Sequence, residues 1–253
     1  MMPENPIGPI VRSELQQAAF RNGWRVEQGE QDGWLLRGSH SAPGRIGLAG
    51  ISSIGPWVVA VEHGGVAQQF GLPSADIEGP GLRRFVVETT AELHNVLSRI
   101  HDLAIALPDD PLRRFEEETR TLPKTTEAER KVLQRVGQGI FRDALMRYWQ
   151  SCCPLTGIHD TELLRASHMK PWADCASDAE RLDVYNGLLL SALWDASFDR
   201  GLVTFSESGA PQFSTRLSDS SRQRLCHGVA SSLTLTDAHQ AYLAYHREHV
   251  FRK

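Results

Sequence analysis

The segment between residues 163 and 201 constrains the fold most, because its short runs have clear ends. The first run is LLRASHMKPW, which predicts a strand that carries His168 and stops at Pro171. A loop rich in Asp and Ser follows, and the next run, DVYNGLLLS, predicts a second strand with Asn186 at the turn into it. The last run is ALWDASFD, which predicts a helix that Gly201 terminates. The predicted order is therefore strand, loop, strand, helix.

Two carboxylates lie on that last helix, at Asp195 and Asp199. A spacing of four residues places both side chains on one face of a helix. Like charges at this spacing destabilise a helix. Either the two carboxylates lie on a solvated rim, or a positive group lies between them.

The size and charge of the chain limit the classes of partner. A length of 253 residues suits one large domain or two ordinary ones, and 41% hydrophobic residues are enough for a core. The net charge is −4 and the pI is about 6.2, whereas a protein that coats DNA generally is strongly basic. Any role in binding nucleic acid must therefore come from a local basic patch.

The sequence gives no sign of secretion or of a membrane span. Its beginning lacks a cationic region followed by an apolar one, and no apolar run approaches the ~20 residues of a membrane helix. The four cysteines form no CxxC pair and no disulfide framework. We therefore expect a cytoplasmic protein without a membrane partner and without a structural zinc site.

The composition changes along the chain in a way that predicts two domains. Residues 1–107 combine short helical and strand-like runs and predict a small α+β domain. Residues 108–129 are rich in Pro, Thr and charge, and they predict a linker. Residues 130–253 form the predicted second domain.

The most basic segment of the chain begins at the end of this linker. Residues 120–150 contain seven basic and three acidic residues, and the basic ones include Lys124, Arg135 and Arg142. The segment predicts either a solvated helix face or a surface that contacts DNA. Gly137 and Gly139 lie in the middle of the helix and cost ~1 kcal/mol each relative to Ala, so the helix either breaks there or allows a close backbone approach.

The order and spacing of four segments resemble one family. These segments are CPLTG (153–157), LLRASHMKPWAD (163–174), ERLDVYNGLLLS (180–191) and DASFDRGLVTF (195–205). Together they resemble the HNH endonucleases of the ββα-metal class, and the likeness extends over about residues 130–215. The resemblance implies an α+β chain in which a C-terminal ββα-metal (HNH) nuclease domain follows a small N-terminal α+β domain.

The resemblance also implies the roles of individual residues. His168 matches the general base that deprotonates the attacking water, and Asn186 matches the residue that ties the loop and orients this histidine. Asp195 stands where HNH proteins have their last His, and a carboxylate there suits Mg²⁺, with Mn²⁺ as an alternative. Asp199 either shares the cation or braces the helix end. Ser167 stands where the wider class often has Asp or another ligand.

The expected partner is double-stranded DNA. Arg165 and Lys170 flank the strand of His168 and either contact phosphate or remain solvated, as do Arg135 and Arg142 on the preceding helix. A homodimer, in which two copies of the chain cut both DNA strands, is an alternative that the sequence leaves open.

The function that these expectations favour is metal-dependent hydrolysis of DNA phosphodiester bonds. The family analogy adds restriction or modification-dependent restriction as the setting, in which the N-terminal domain chooses the site. The alternative is a catalytically inactive HNH-fold protein that binds DNA or regulates another protein.

Overall fold

The first part of the chain is built on an antiparallel sheet whose strands pair in chain order. The strands are β1 (Val26–Gln31), β2 (Trp34–Gly38), β3 (Arg45–Gly50), β4 (Trp57–Val61) and β5 (Arg83–Val87). The computed structural model describes residues 3–52, 54–123 and 126–253, and it separates into two units, Met1–Asp110 and Pro111–Lys253. The sheet and its helices confirm the α+β character predicted for the N-terminal part.

Both faces of this sheet are buried. On one face the register aligns Leu35, Leu48, Val59 and Phe85 across four strands. The helices of the unit are α1 (Pro9–Arg21), α2 (Gly64–Gln69) and α3 (Thr90–Ala106), and α1 and α3 contact each other as well as the sheet. The opposite face forms a separate apolar cluster, which contains Trp34, Leu36, Ala49, Val58, Ala60 and Ile77. This burial explains why β4 is apolar at every position.

The segment 108–129, for which the sequence predicts a linker, contains a helix, α4 (Asp109–Thr119). Phe115 is buried, and the hydroxyl of Thr119 donates a hydrogen bond to its carbonyl at 2.6 Å. Arg113 and Glu117, one turn apart, form an ion pair at 3.0 Å. Charge and proline conceal this helix in the sequence, because most of its side chains are polar. Lys124 lies outside the described residues.

The next helix, α5 (Glu127–Tyr148), begins at a capping box and is continuous through both of its glycines. A side chain at Gly137 would run into the rings of Trp172 and Phe115, whereas Gly139 faces open space. The close approach that the sequence allowed for is therefore found at Gly137 alone, and the helix does not break.

The predicted strand, loop, strand and helix are all present in the second unit. They are β6 (Leu164–His168), the loop with α6 (Asp178–Leu182), β7 (Gly187–Ser191) and α7 (Ala192–Asp199). The strands pair antiparallel, with Leu164 opposite Ser191 and His168 opposite Gly187. Gly201, at φ +66°, follows the helix in the left-handed conformation that glycine adopts without strain. Fold class and element order agree with the expectation.

The remaining helices and strands of the second unit follow α7 in the chain. They are the hairpin β8 (Val203–Phe205) and β9 (Pro211–Phe213), the helices α8 (Asp219–Cys226) and α9 (Asp237–Tyr245), and a π-helical turn (His246–Val250). α5 packs against β6 and β7, and α7 packs against β6, β7 and β8. In the part of the chain that the structure describes, no helix combines the length and the apolar character needed to cross a membrane.

Candidate active site

Asn186 closes the loop between the two strands. It ends a short 3₁₀ turn before β7, and its side chain is fully buried. Its Oδ1 accepts the backbone N–H of Lys170 at 2.8 Å, and its Nδ2 donates to the carbonyls of Lys170 at 3.2 Å and Glu180 at 3.1 Å. The same Nδ2 lies 3.4 Å from the Sγ of Cys175. One amide therefore holds the beginning, the middle and the end of the loop together.

The C-terminal helix braces the turn that carries Asn186. The hydroxyl of Tyr242, on α9, donates to Asp183 Oδ2 at 2.8 Å, while Asp183 Oδ1 accepts the N–H of Tyr185 at 2.9 Å. Burial raises the pKa of Asp183 above its usual range, and these two hydrogen bonds oppose that rise. The turn is thus fixed from a side that the sequence did not indicate.

His168 ends β6, and three groups hold its ring. Its Nε2 lies 2.9 Å from the carbonyl oxygen of Arg181. Because a carbonyl only accepts, Nε2 carries the proton and Nδ1 carries the lone pair. The ring of Phe141 stacks on the imidazole at 3.8 Å between centroids and an angle of 17°, and Trp172 meets it edge-on at 5.6 Å. Gly187 makes room for Phe141, since a side chain there would collide with that ring.

The surroundings of His168 favour its neutral form. Burial lowers its pKa from 6.5 to about 4, and the hydrogen bond to the Arg181 carbonyl offsets part of this effect. At neutral pH the imidazole is therefore neutral, with its one proton on Nε2. This is the state that a general base requires.

Asp195 lies in the first turn of α7 and is tied to β6. Its Oδ1 accepts a hydrogen bond from the hydroxyl of Ser167 at 2.6 Å. Ser167 directly precedes His168 and is 1% exposed, while Asp195 is half-buried. The predicted base, His168, therefore lies next to the strand residue that binds the predicted metal ligand, Asp195.

Asp199 follows one turn later on α7. Burial of its carboxyl group and the nearby Asp195 carboxylate raise its pKa to about 6, and Arg200 opposes this rise, although the residue as a whole is exposed. The two carboxylates therefore repel each other, as their spacing predicts.

Asp195 and Asp199 carry hard oxygen ligands, the type that Mg²⁺ prefers. The described residues contain no group of three or more His, Cys, Asp or Glu side chains placed to hold a metal ion. Two neighbouring carboxylates still suit Mg²⁺, which keeps several waters and takes oxygens from a substrate phosphate. A cation between them would also relieve the repulsion that, after burial, contributes to the raised pKa of Asp199.

The four basic side chains that are expected to contact DNA differ in their partners within the protein. Arg142 donates to the carbonyls of Leu164 and Thr161, each at 2.8 Å, and Arg165 donates to those of Glu162 and Leu164. Lys170 pairs with Glu180 at 2.7 Å and lies over the ring of Tyr245. Arg135 is exposed on α5.

Several residues that shape the site were not identified from the sequence. Arg181 donates to the carbonyls of Trp172 and Cys175 and to Asp178, and its own carbonyl holds His168. The sequence contained one signal, because Ser177 and Glu180 have the spacing of a capping box and mark α6. The stacking of Phe141 had no signal beyond its place on a helix face.

Comparison with known proteins matches the segment that carries His168, Asn186, Asp195 and Asp199 to a family. Residues 153–206 match the family model of the HNH endonucleases, which confirms the resemblance for β6, β7 and α7. The match supports a nuclease and implies a nucleic-acid substrate. No curated protein matches the chain.

Proposed function

We propose that the HNH endonuclease domain at residues 153–206 makes this chain a metal-dependent DNA endonuclease. The observation that supports this most directly is the state of His168. Its Nε2 donates a hydrogen bond to the Arg181 carbonyl, and its low pKa leaves Nδ1 unprotonated at neutral pH. A neutral imidazole fixed in this way is suited to take a proton from water.

The proposed reaction is hydrolysis of a phosphodiester bond. His168 Nδ1 accepts a proton from the attacking water, whose oxygen bonds to phosphorus while the bond to the leaving 3′-oxygen breaks. Asp195 and Asp199 would hold the cation, Mg²⁺ or Mn²⁺, which when bound supplies positive charge near the phosphate and the leaving oxygen. Phe141 and Arg181 keep the imidazole in one orientation, so that little reorganisation accompanies the proton transfer.

Asn186 acts in this scheme without touching the substrate. Its amide is buried and fully engaged with the loop backbone. It positions Lys170 and the segment that leads to the Arg181 carbonyl. Its proposed role is therefore the one that the resemblance implies, namely to orient His168 through the loop.

The proposed substrate is double-stranded DNA. Arg135 is exposed and suits a phosphate contact, whereas Arg142, Arg165 and Lys170 would have to give up or share protein partners to make one. Restriction or modification-dependent restriction, with the N-terminal unit choosing the site, is the setting that family analogy suggests. A homodimer remains a prediction.

A second candidate is an inactive HNH-fold protein that binds DNA. It is favoured by one observation, that the described residues include no cluster of three or more metal-ligating side chains. A metal titration in the presence of DNA distinguishes the two candidates, since an active site binds the cation and cleaves and an inactive one does neither.

The test of the proposed function is a plasmid-cleavage assay in Mg²⁺ or Mn²⁺. We expect the wild type to cleave and His168→Ala to lose cleavage by at least 100-fold, in line with the loss of a general base. His159→Ala is the matched control, because His159 is an exposed histidine of the same domain. Equal cleavage by His168→Ala and the control would contradict the assignment, and DNA binding without any cleavage by the wild type would favour the inactive candidate.

A further inference from the structure

Ser167 carries a buried hydroxyl near the end of β6. It lies on β6 opposite Leu188 and is 1% exposed. A buried hydroxyl costs free energy unless it is hydrogen-bonded. It donates to Asp195 Oδ1 at 2.6 Å, the short distance expected when the acceptor is an ionised carboxylate.

This hydrogen bond joins two elements that are far apart in sequence. Ser167 and Asp195 are separated by 28 residues, and their bond links the end of β6 to the first turn of α7. Because His168 is the next residue on β6, the same strand end fixes both the base and the carboxylate. One peptide unit and one hydrogen bond therefore link the base to the carboxylate directly, in addition to the packing of α7 against β6 and β7.

The bond also distinguishes the two oxygens of Asp195. Oδ1 is engaged by the hydroxyl, and among the residues that the structure describes no group donates to Oδ2. We infer that Ser167 is a positioning residue that holds Oδ1 of Asp195 and so presents Oδ2 to the divalent cation. This inference rests on the proposed function, because it requires that Asp195 is a metal ligand.

Direct cation binding tests the inference without relying on turnover. The probe is Mn²⁺, titrated into the full chain and followed by electron paramagnetic resonance of the free ion. We expect Ser167→Ala to weaken Mn²⁺ binding by about 10-fold or more, the usual loss when a group that orients a metal ligand is removed. Ser167→Thr, which keeps the hydroxyl, should restore binding to near the wild-type value.

The matched control is Ser197→Ala. Ser197 is also buried, and its hydroxyl donates to the Leu193 carbonyl at 2.9 Å on the same helix, so that this variant loses a hydrogen bond without affecting Asp195. Thermal unfolding of each variant separates lost binding from lost folding. Ser167→Ala that binds Mn²⁺ as tightly as Ser197→Ala would overturn the inference.

Variants of Asp195 separate this inference from the function on which it rests. Asp195→Asn keeps an oxygen that accepts from Ser167 but loses the charge, so we expect Mn²⁺ binding to fall while the melting temperature changes little. If Asp195→Asn and Asp195→Ala bind Mn²⁺ like the wild type, the proposed metal site is wrong and the inference falls with it. If they lose binding and Ser167→Ala keeps it, only the inference is wrong.

Cleavage at varied Mg²⁺ gives a second readout that a purely structural role would not produce. A mispositioned ligand raises the Mg²⁺ concentration for half-maximal rate, and saturating Mg²⁺ recovers most of the maximal rate. We expect this pattern for Ser167→Ala. A lower maximal rate with an unchanged Mg²⁺ requirement would contradict it.

Discussion

At the residue scale, aromatic packing rather than a neighbouring charge sets the state of His168. Phe141 covers one face of the imidazole, and Trp172 meets its edge. Burial is the largest cause of its lowered pKa. The same arrangement recurs at His246, on which Phe198 stacks at 3.8 Å and whose pKa is also lowered to about 4. The two pairs allow a matched comparison within one domain.

We predict that Phe141→Leu raises the pKa of His168 toward its ordinary value, because a smaller side chain admits water to the imidazole. Below that pKa the base is protonated and inactive, so the acid limb of the cleavage profile should move to higher pH. An NMR titration of the histidine ring signals measures the pKa directly. The substitution should also cost about 1–3 kcal/mol of the free energy of unfolding, since Phe141 is 1% exposed.

Phe198→Leu is the control for this prediction. It should raise the pKa of His246 and leave that of His168 unchanged, because the two stacked pairs are separate. If the pKa of His168 is the same in Phe141→Leu and in the wild type, stacking does not set its protonation.

The sequence allowed some of these residue-level features to be predicted and not others. The closeness of Asp195 and Asp199 followed from helical spacing alone, and the pKa of Asp199 is raised in part by Asp195. The hydrogen bond from His168 to the Arg181 carbonyl was not predictable, because every residue has a carbonyl and only the folded loop selects one. The partner of Ser167 depended on the same long-range placement.

At the scale of elements, the two glycines of α5 have opposite surroundings. A Cβ at Gly137 would meet the ring of Trp172, which in turn meets His168 edge-on. A Cβ at Gly139 would meet nothing within 4 Å. The sequence presents both positions as equal interruptions of a helix, and only the packing of the loop against α5 separates them.

We predict that Gly139→Ala raises the free energy of unfolding by up to ~1 kcal/mol, because Ala is the better helix former. Gly137→Ala should lower the free energy of unfolding instead, since Trp172 must move. The displaced ring should also reduce the cleavage rate, because Trp172 contacts His168. Urea unfolding and the plasmid assay measure the two effects. Equal stabilisation by both substitutions would show that Trp172 does not depend on the glycine.

At the scale of the whole molecule, histidines with lowered pKa values make the stability of the second unit depend on pH. His168, His239 and His246 all lie in that unit, and burial lowers the pKa of each to about 4. Above pH 6.5 both the folded and the unfolded states hold these rings neutral. Between pH 6.5 and 4 these three rings bind protons in the unfolded chain but not in the folded one, so they lower the free energy of unfolding as the pH falls, whereas Asp199, with its pKa raised to about 6, partly opposes them.

We predict that the melting temperature of the second unit drops steeply from pH 7 to pH 4.5. His246→Gln should flatten this dependence, because it removes one buried histidine, which is 1% exposed and accepts or donates only within the core. His159→Gln, at an exposed position, should leave the slope unchanged. A melting temperature that is constant over this range, or equal slopes for both variants, would contradict the prediction.

The large-scale organisation was predictable to different degrees in the two units. The strands and helix of the second unit follow from apolar runs with clear ends, and β6, β7 and α7 lie where expected. In the first unit the strand-like runs were visible, but their pairing in chain order and their register were not. Register depends on cross-strand partners such as Leu35 and Leu48, and no single run contains that information.

The hydrogen bonds at the Leu164 carbonyl have a consequence for solubility. Arg142 and Arg165 both donate to this oxygen, at 2.8 and 2.9 Å, where β6 begins. In the part of the chain that the structure describes, β6 pairs with one strand, β7, and an open strand edge can recruit a strand of another molecule. The two guanidinium groups occupy that carbonyl and place positive charge beside it, so we expect this end of the small sheet to resist edge-to-edge pairing with another molecule.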